Sequence, residues 1–200
     1  MDDLKRLVTA ARSEDLSREA ATALSDAASR EGLTEVAVAS VDSPVGPLLI
    51  AVTPRGLARI AYSNESRDVV LDELAADLSP RILESAKITD EARRELEQYF
   101  AGDRTSFDLQ IDWRLTIGFA RKTLRATAKV PFGDLITYGE LAKRIDSSGA
   151  ARAVGHALGS NPIPIVVPCH RVVRAGGALG GYSGGLDKKK LLLALEGNPT

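Results

Sequence analysis

The 200-residue chain is expected to be an α+β protein of two domains: an α+β first half, then a mainly helical half carrying a helix-turn-helix. Three observations lead there. Residues 35–62 alternate apolar and polar positions between turn-forming tetrapeptides, as an antiparallel meander does. The second half instead reads as mostly helical, in the segments 118–130, YGELAKRI, 150–159 and LDKKKLLLALEG. Charge divides along the same line. Residues 1–113 carry 13 Lys+Arg against 22 Asp+Glu, residues 114–200 carry 13 against 5, and the whole chain sums to −1. An acidic half joined to a basic half suggests a second domain that faces a polyanion; uneven surface solvation is the plainer alternative.

Taken in order, Leu16, Ala20, Leu24 and Ala27 fall at helical spacing and Gly32 supplies a stop, so residues 1–32 read as helical. EVAVASVD reads as a strand, SPVG as a turn, PLLIAVT as the second strand, TPRG as a turn and LARIAY as the third. RDVVLDELAADL (67–78) is an amphipathic helix closed by Ser79-Pro80, and TDEARRELEQYFAG (89–102) is a helix with Thr89 or Asp90 as cap and Gly102 as stop. TSFDLQI (105–111) returns to strand and ends the first domain near Asp112. GFARKTLRATAKV (118–130) is a helix ending before Pro131. Thr137-x-x-Glu140 is a capping box that opens the helix YGELAKRI. DSSG (146–149) turns the chain into a further helix, AARAVGHALG (150–159), and the pair forms a helix-turn-helix pattern. After Asn161-Pro162 a strand-like run reaches Cys169, the Gly-rich loop AGGALGGYSGG (175–185) follows, and LDKKKLLLALEG closes the chain as a helix.

Composition excludes several classes. Hydrophobic residues at 44% and charged residues at 26% fit a globular protein with a real core. One cysteine allows no intramolecular disulfide, no C-x-x-C redox pair and no multi-cysteine zinc site, and suits a reducing, cytoplasmic setting. The start, MDDLKRLVTAARSEDL, has no apolar segment of the kind a signal peptide needs, and no apolar run is long enough to span a membrane.

Three places can carry chemistry. In the second helix of the helix-turn-helix, Ala150, Ala151, Ala153, Gly155 and Ala157 are small, and Arg152 is the one long polar side chain near the start. Major-groove reading takes several Arg, Asn or Gln side chains. A small-residue face instead permits close approach to a narrow groove, with Arg152 as a wedge and phosphate contacts supplying affinity. Packing against the protein's own core is the alternative, and His156 on that helix fits either a phosphate contact or plain surface placement. Cys169, the single cysteine, is by frequency an inert core residue. Adjacent His170, nearby Arg171 and Arg174, and Pro168 before it argue for a nucleophile. Neighbours on a strand point to opposite faces, so His170 serves Cys169 only if the chain bends there or a water intervenes. Glu196 sits at the end of a helix, where its charge opposes the macrodipole by roughly 0.3–1 kcal/mol. It is either a solvated charge or a group that orients another, such as His170.

With these residues in view, IPIVVPCHRVVRAGGALGGYSGGL closely resembles the active-site segment of the O6-alkylguanine-DNA alkyltransferases (methylated-DNA–protein cysteine methyltransferases). TYGELA and AARAVGHALGSNP precede it at the expected distance, and the resemblance covers residues 35–197. It implies a ribonuclease-H-like α+β domain at 34–112 and a helix-turn-helix DNA-binding and alkyltransferase domain at 113–200, after a helical extension at 1–33. It further implies direct-reversal repair without a cofactor. The alkyl group of O6-alkylguanine or O4-alkylthymine in double-stranded DNA passes irreversibly to Cys169 after nucleotide flipping, once per molecule. His170 is then the base acting through a water, Glu196 its holder, and Asn161 the hinge between recognition helix and active-site strand. Arg152 replaces the flipped nucleotide on a surface formed with Ala151, Ala153 and Gly155. Tyr138 lies near the flipped phosphate and donates to guanine N3. The backbone of Cys169 and Val172 and the side chain of Ser183 hydrogen-bond the base, Pro164 and Tyr182 wall the alkyl pocket, and Gly180 leaves it open. Arg171 is implied to be a structural ion-pair donor. The N-terminal zinc site of some relatives cannot form here, since no His precedes residue 156. The resemblance implies a monomer, with cooperative loading on DNA left open. Two rivals stand beside it. One is an alkyltransferase-like protein that binds alkylated DNA without repairing it, against which Cys169 argues. The other is a helix-turn-helix regulator, against which the missing major-groove readers argue.

Overall fold

The computed structural model describes residues 34–199. The expected helix at 1–32 lies outside the described residues. The first half opens on three strands, β1 (Val36–Val41), β2 (Leu48–Thr53) and β3 (Gly56–Tyr62), which form the expected antiparallel meander. Helix α1 (Arg67–Asp77) follows, then a short strand β4 (Ile82–Glu84) and helix α2 (Asp90–Ala101). β4 pairs parallel to β1, so the sheet order is β3-β2-β1-β4.

Both sheet faces are covered. Val36 and Val38 on β1 and Ala51 and Ala61 on β2 and β3 pack with Val70 and Leu74 of α1. The opposite face carries Ile50, Leu57, Ile60 and Tyr62, which join Leu96 and Tyr99 of α2. A register irregularity at Ala51/Val52 shifts the alternation of β3 by one residue. That is why Leu57 and Ile60, three apart, face the same core. The core cluster of this face continues without a break into the helical half, through Leu124, Leu141, Val154 and Leu192.

Two expectations are corrected. Residues 105–111 are not a strand: among the described residues one bridge, Leu57 to Ile111, is all that forms. The segment runs as an extended cover whose Gln110 carbonyl accepts from Leu57 N at 2.8 Å. The approach is so close that a Cβ on Gly56 would lie 2.2 Å from that oxygen. A 3₁₀ turn (Trp113–Leu115), unforeseen from sequence, then leads into the helical half.

That half comprises α3 (Gly118–Thr127), β5 (Ile136–Thr137), α4 (Tyr138–Arg144), α5 (Ala151–Gly159), β6 (Val172–Val173) and α6 (Leu186–Leu195). α3 stops three residues short of the expected 130. The capping box at α4 is complete: Thr137 Oγ1 accepts from Glu140 N, and Glu140 accepts from Thr137 N. α4 and α5 are the helix-turn-helix, with Asp146 in a left-handed conformation (φ 54°) in the connecting turn. The second correction falls at the motif itself. Residues 162–168 form turns, and Cys169–Arg171 is a 3₁₀ turn. Prolines at 162, 164 and 168 remove the donors that a strand needs. Ile165 sits at φ 75°, a conformation that costs a β-branched residue on the order of 1–3 kcal/mol and is held by complete burial.

Candidate active site

Cys169 lies at the start of its 3₁₀ turn and is 4% exposed. Its amide donates to Val167 O at 2.8 Å, a tight turn that follows from the fixed φ of Pro168. Asn161, two residues beyond α5, holds this turn from the other side. Its Nδ2 donates to Val167 O at 2.8 Å and to Cys169 Sγ at 3.1 Å, and its Oδ1 accepts from Ile163 N at 3.0 Å. Asn161 thus joins α5 to the cysteine turn, and no strand is involved. Burial pushes the Cys169 thiol up; the Asn161 and Tyr182 hydrogen bonds and the charge of Lys189 oppose this without cancelling it. At neutral pH the resting group is a thiol, so a reaction at sulfur needs a base.

The bend that the sequence left open is present. Successive side chains in a 3₁₀ turn differ by a third of a turn, not by half. His170 is fully buried, and its Nε2 lies 2.9 Å from Glu196 Oε1. Glu196 also accepts from Arg171 Nε (2.8 Å), Arg171 NH2 (2.8 Å) and the Tyr99 hydroxyl (2.7 Å). Burial works against its ionisation, but the His170 and Arg171 hydrogen bonds outweigh burial and hold the carboxyl at about 2. An ionised carboxylate only accepts, so His170 donates from Nε2 and carries its lone pair on Nδ1. That Nδ1 is buried and has no hydrogen-bond partner among the described residues. Burial also pushes the His170 pKa down, more than Glu196 raises it, so the ring is neutral at pH 7. Arg171, 5% exposed, is an ion-pair donor whose guanidinium also donates to Val130 O.

Two contributors escape sequence reasoning. Tyr99 reaches Glu196 from α2 in the first half of the chain. Lys189 is fully buried on α6, and its Nζ donates to Val172 O at 2.6 Å. Burial lowers its pKa. The signal for Lys189 was available: Lys189, Leu192, Leu193 and Glu196 fall at helical spacing on one inward stripe.

Above the cysteine opens a cleft of about 1120 Å³. Tyr138, Ala151, Arg152, Gly155 and His156 line it together with Gly180, Tyr182, Ser183 and the nearly buried Cys169. Arg152, Ala153 and His156 are exposed, whereas Val154, Ala157 and Leu158 turn inward. The small residues of α5 therefore serve both surfaces. Gly155 also lies against the Tyr138 ring, where a Cβ would stand 3.7 Å away. A Cβ on Gly180 would fall 2.1 Å from the Tyr138 hydroxyl, so Gly180 seats that tyrosine. Three expected residues stand apart. Ala153 does not line the cleft. Pro164, expected as a pocket wall, is buried in the cysteine turn and lines a smaller cleft behind Ser183. The Val172 carbonyl, expected to meet the base, already accepts from Lys189, which leaves one lone pair. Among the described residues no cluster of three or more His, Cys, Asp or Glu could hold a metal ion. No helix among them is long and apolar enough to cross a membrane.

Comparisons with known proteins converge on one family. Residues 36–113 match the model of the 6-O-methylguanine DNA methyltransferase ribonuclease-like domain, and residues 118–198 match that family's DNA-binding domain. A methylated-DNA–protein-cysteine methyltransferase of Methanosarcina acetivorans is 40% identical over 80% of this chain and 97% of its own. The corresponding protein of Mycolicibacterium paratuberculosis is 43% identical over 78% of this chain and 90% of its own. Among solved structures, Mycobacterium tuberculosis OGT in complex with DNA superposes with a TM-score of 0.70 at 37% identity, covering 80% of this chain and 92% of that one.

Proposed function

Because the chain belongs to the 6-O-methylguanine DNA methyltransferase family, we propose that Cys169 is the thiol that takes an alkyl group from O6 of guanine in double-stranded DNA. The protein repairs DNA directly, by transferring an alkyl group from the damaged DNA to a cysteine of its own. The observation that supports Cys169 best is its place at the bottom of a cleft whose rim is the recognition helix, with a neutral, oriented His170 beside it in the same turn.

Guanine O6 is paired and stacked in the duplex, so the nucleotide must leave the helix before sulfur can attack the alkyl carbon in line. Arg152, exposed at the start of α5, fills the gap. The thiol proton passes through a water to His170 Nδ1 as the S–C bond forms and the C–O6 bond breaks. The Tyr138 hydroxyl, which burial keeps neutral, donates a hydrogen bond to N3 of the departing guanine anion, and the anion takes back through water the proton that His170 received. The Ser183 side chain and the Cys169 backbone orient the base, and O4-alkylthymine fits the same route. The product thioether offers water no leaving group, and the chain has no second cysteine for exchange, so each molecule acts once. We place the domain boundary near Asp112, the working form as a monomer, and the setting as the cytoplasm, where a lone reactive thiol persists.

The finger role has a direct test. Arg152→Ala is expected to slow repair of duplex DNA by about a hundredfold, since flipping costs a few kcal/mol, while reaction with free O6-benzylguanine, which needs no flipping, stays near the unmodified rate. Equal losses on both substrates would count against it. A second test concerns Tyr138. Gly180→Ala should displace its hydroxyl and slow methyl transfer about tenfold, as loss of one hydrogen bond in the transition state does, and Tyr138→Phe combined with it should be no slower than Tyr138→Phe alone. Stopped-flow or quenched transfer assays with single variants and the pair decide this.

A further inference from the structure

The active-site loop is held by the first half of the chain, and one side chain does most of the holding. Tyr62 ends β3 and is 3% exposed. Its hydroxyl lies 2.6 Å from the hydroxyl of Tyr182, with the two rings tilted at 59° and their centroids 6.0 Å apart. Tyr182 lines the cleft with Cys169. Gly184, two residues further on, is what lets Tyr62 in: a Cβ there would stand 2.7 Å from Tyr62 Cε2 and 3.1 Å from Tyr182 Cε1. Lys188 Nζ lies over the Tyr62 ring at 5.6 Å, and Asn64 Nδ2 donates to Ser183 O at 3.4 Å. The end of β3 and the turn after it therefore grip residues 182–188 at four points, and this stretch runs into the first turn of α6, which carries Lys189 and is capped by Glu196.

We propose that Tyr62 is a positioning residue of the alkyl pocket: by fixing the Tyr182 hydroxyl, it sets how large an alkyl group reaches Cys169. The inference rests on the reading of Cys169 as acceptor. Its physical basis is the cost of an unmatched buried hydroxyl. Tyr62 is almost wholly buried and has the Tyr182 hydroxyl as its hydrogen-bond partner, so neither ring swings away without leaving a polar atom unsatisfied. A methyl group needs no such swing. A benzyl group is wide enough to press on the Tyr182 wall, and its transfer therefore works against the Tyr62 bond.

The test compares rate constants for O6-benzylguanine and O6-methylguanine placed in the same oligonucleotide. A ratio of the two cancels any partial loss of folded protein, which lowers both alike. Tyr62→Phe is expected to raise the benzyl-to-methyl ratio about fivefold, the scale of one buried hydrogen bond. Tyr182→Phe should raise it too, and the double variant no further than the larger single change, because the Tyr62–Tyr182 bond is lost in both; the Tyr182 contact to the Cys169 thiol acts on both substrates alike and cancels in the ratio. An unchanged ratio in Tyr62→Phe, or effects of the two changes that simply multiply, overturns the proposal. If the unmodified chain takes up no alkyl group from either substrate, the Cys169 reading fails instead. The clamp is then judged by amide exchange of residues 182–185: faster exchange in Tyr62→Phe upholds it, and unchanged exchange refutes it.

Discussion

Cys169→Ala is expected to take up no alkyl group while still binding duplex DNA with the affinity of the unmodified chain. The side chain, 4% exposed, supplies the bond-forming atom and offers almost no surface for the duplex to touch. Removing a nucleophile costs on the order of 10⁶-fold in rate in well-studied enzymes. Cys169→Ser gives the sharper comparison, since it preserves size and the Asn161 contact but replaces sulfur with a far less nucleophilic oxygen, and transfer to it should also be undetectable. The elevated thiol pKa adds a second condition. Because burial keeps sulfur protonated at rest, His170 must be neutral to accept the proton, and its own depressed pKa keeps it so. The rate on a free base should therefore hold level as pH falls past 6.5, the ordinary histidine value, and decline only at lower pH. A gel assay for binding and a transfer assay on one preparation separate the two properties.

Glu196→Ala is expected to destabilise the fold by about 3–5 kcal/mol, the cost of leaving a buried charge without its partner. The carboxylate accepts from His170, both arms of Arg171 and Tyr99, and all of them lose their acceptor together. Against this, the unfavourable placement at a helix C-terminus is a fraction of a kcal/mol, roughly 0.3–1, so the ion pair decides the sign. The same group shapes stability against pH. Its folded pKa, about 2, lies below its ordinary 4.5, so its contribution is complete above pH 4.5 and disappears as pH falls from there towards 2. The shift corresponds to about 3 kcal/mol. His170, also depressed, contributes fully above 6.5 and loses its contribution below that, so both groups weaken the fold in acid. Denaturant unfolding at several pH values should show a stability that is level above neutrality and falls steeply below pH 4.5. In Glu196→Ala that fall should be shallower, with Asp112 among the carboxylates that still contribute to it.

Features set by short-range chemistry were legible in the sequence. The capping box at Thr137 and Glu140, the stop at Gly102 and the three-strand meander all depend on residues within a turn of one another. The adjacency of Cys169 and His170 was plain, but its geometry was not. An apolar run suggested a strand, while prolines at 162, 164 and 168 in the same run already argued for the turns that form. β4 escaped because three residues carry no period, and its pairing with β1 spans more than forty residues of chain. Lys189 was hidden in a run of three lysines that reads as a solvated face, although its spacing from Leu192 and Glu196 marks it as inward. The links from Tyr99 to Glu196 and from Tyr62 to Tyr182 cross between the halves of the chain at separations of 97 and 120 residues. Nothing local encodes them; they exist because one core cluster runs through both halves. The acidic first half therefore supplies two tyrosines that hold Glu196 and Tyr182 of the basic second half.

Whether the Cys169 sulfur is the atom that becomes alkylated can be read in one measurement. The unmodified protein is incubated with excess duplex DNA containing O6-methylguanine, and its intact mass is then read, followed by peptide mapping. The expected result is a gain equal to one methylene per chain, saturating at a single addition and carried entirely by the peptide containing Cys169. No gain, a gain on any other residue, or repeated turnover of DNA by an unmodified chain would contradict it.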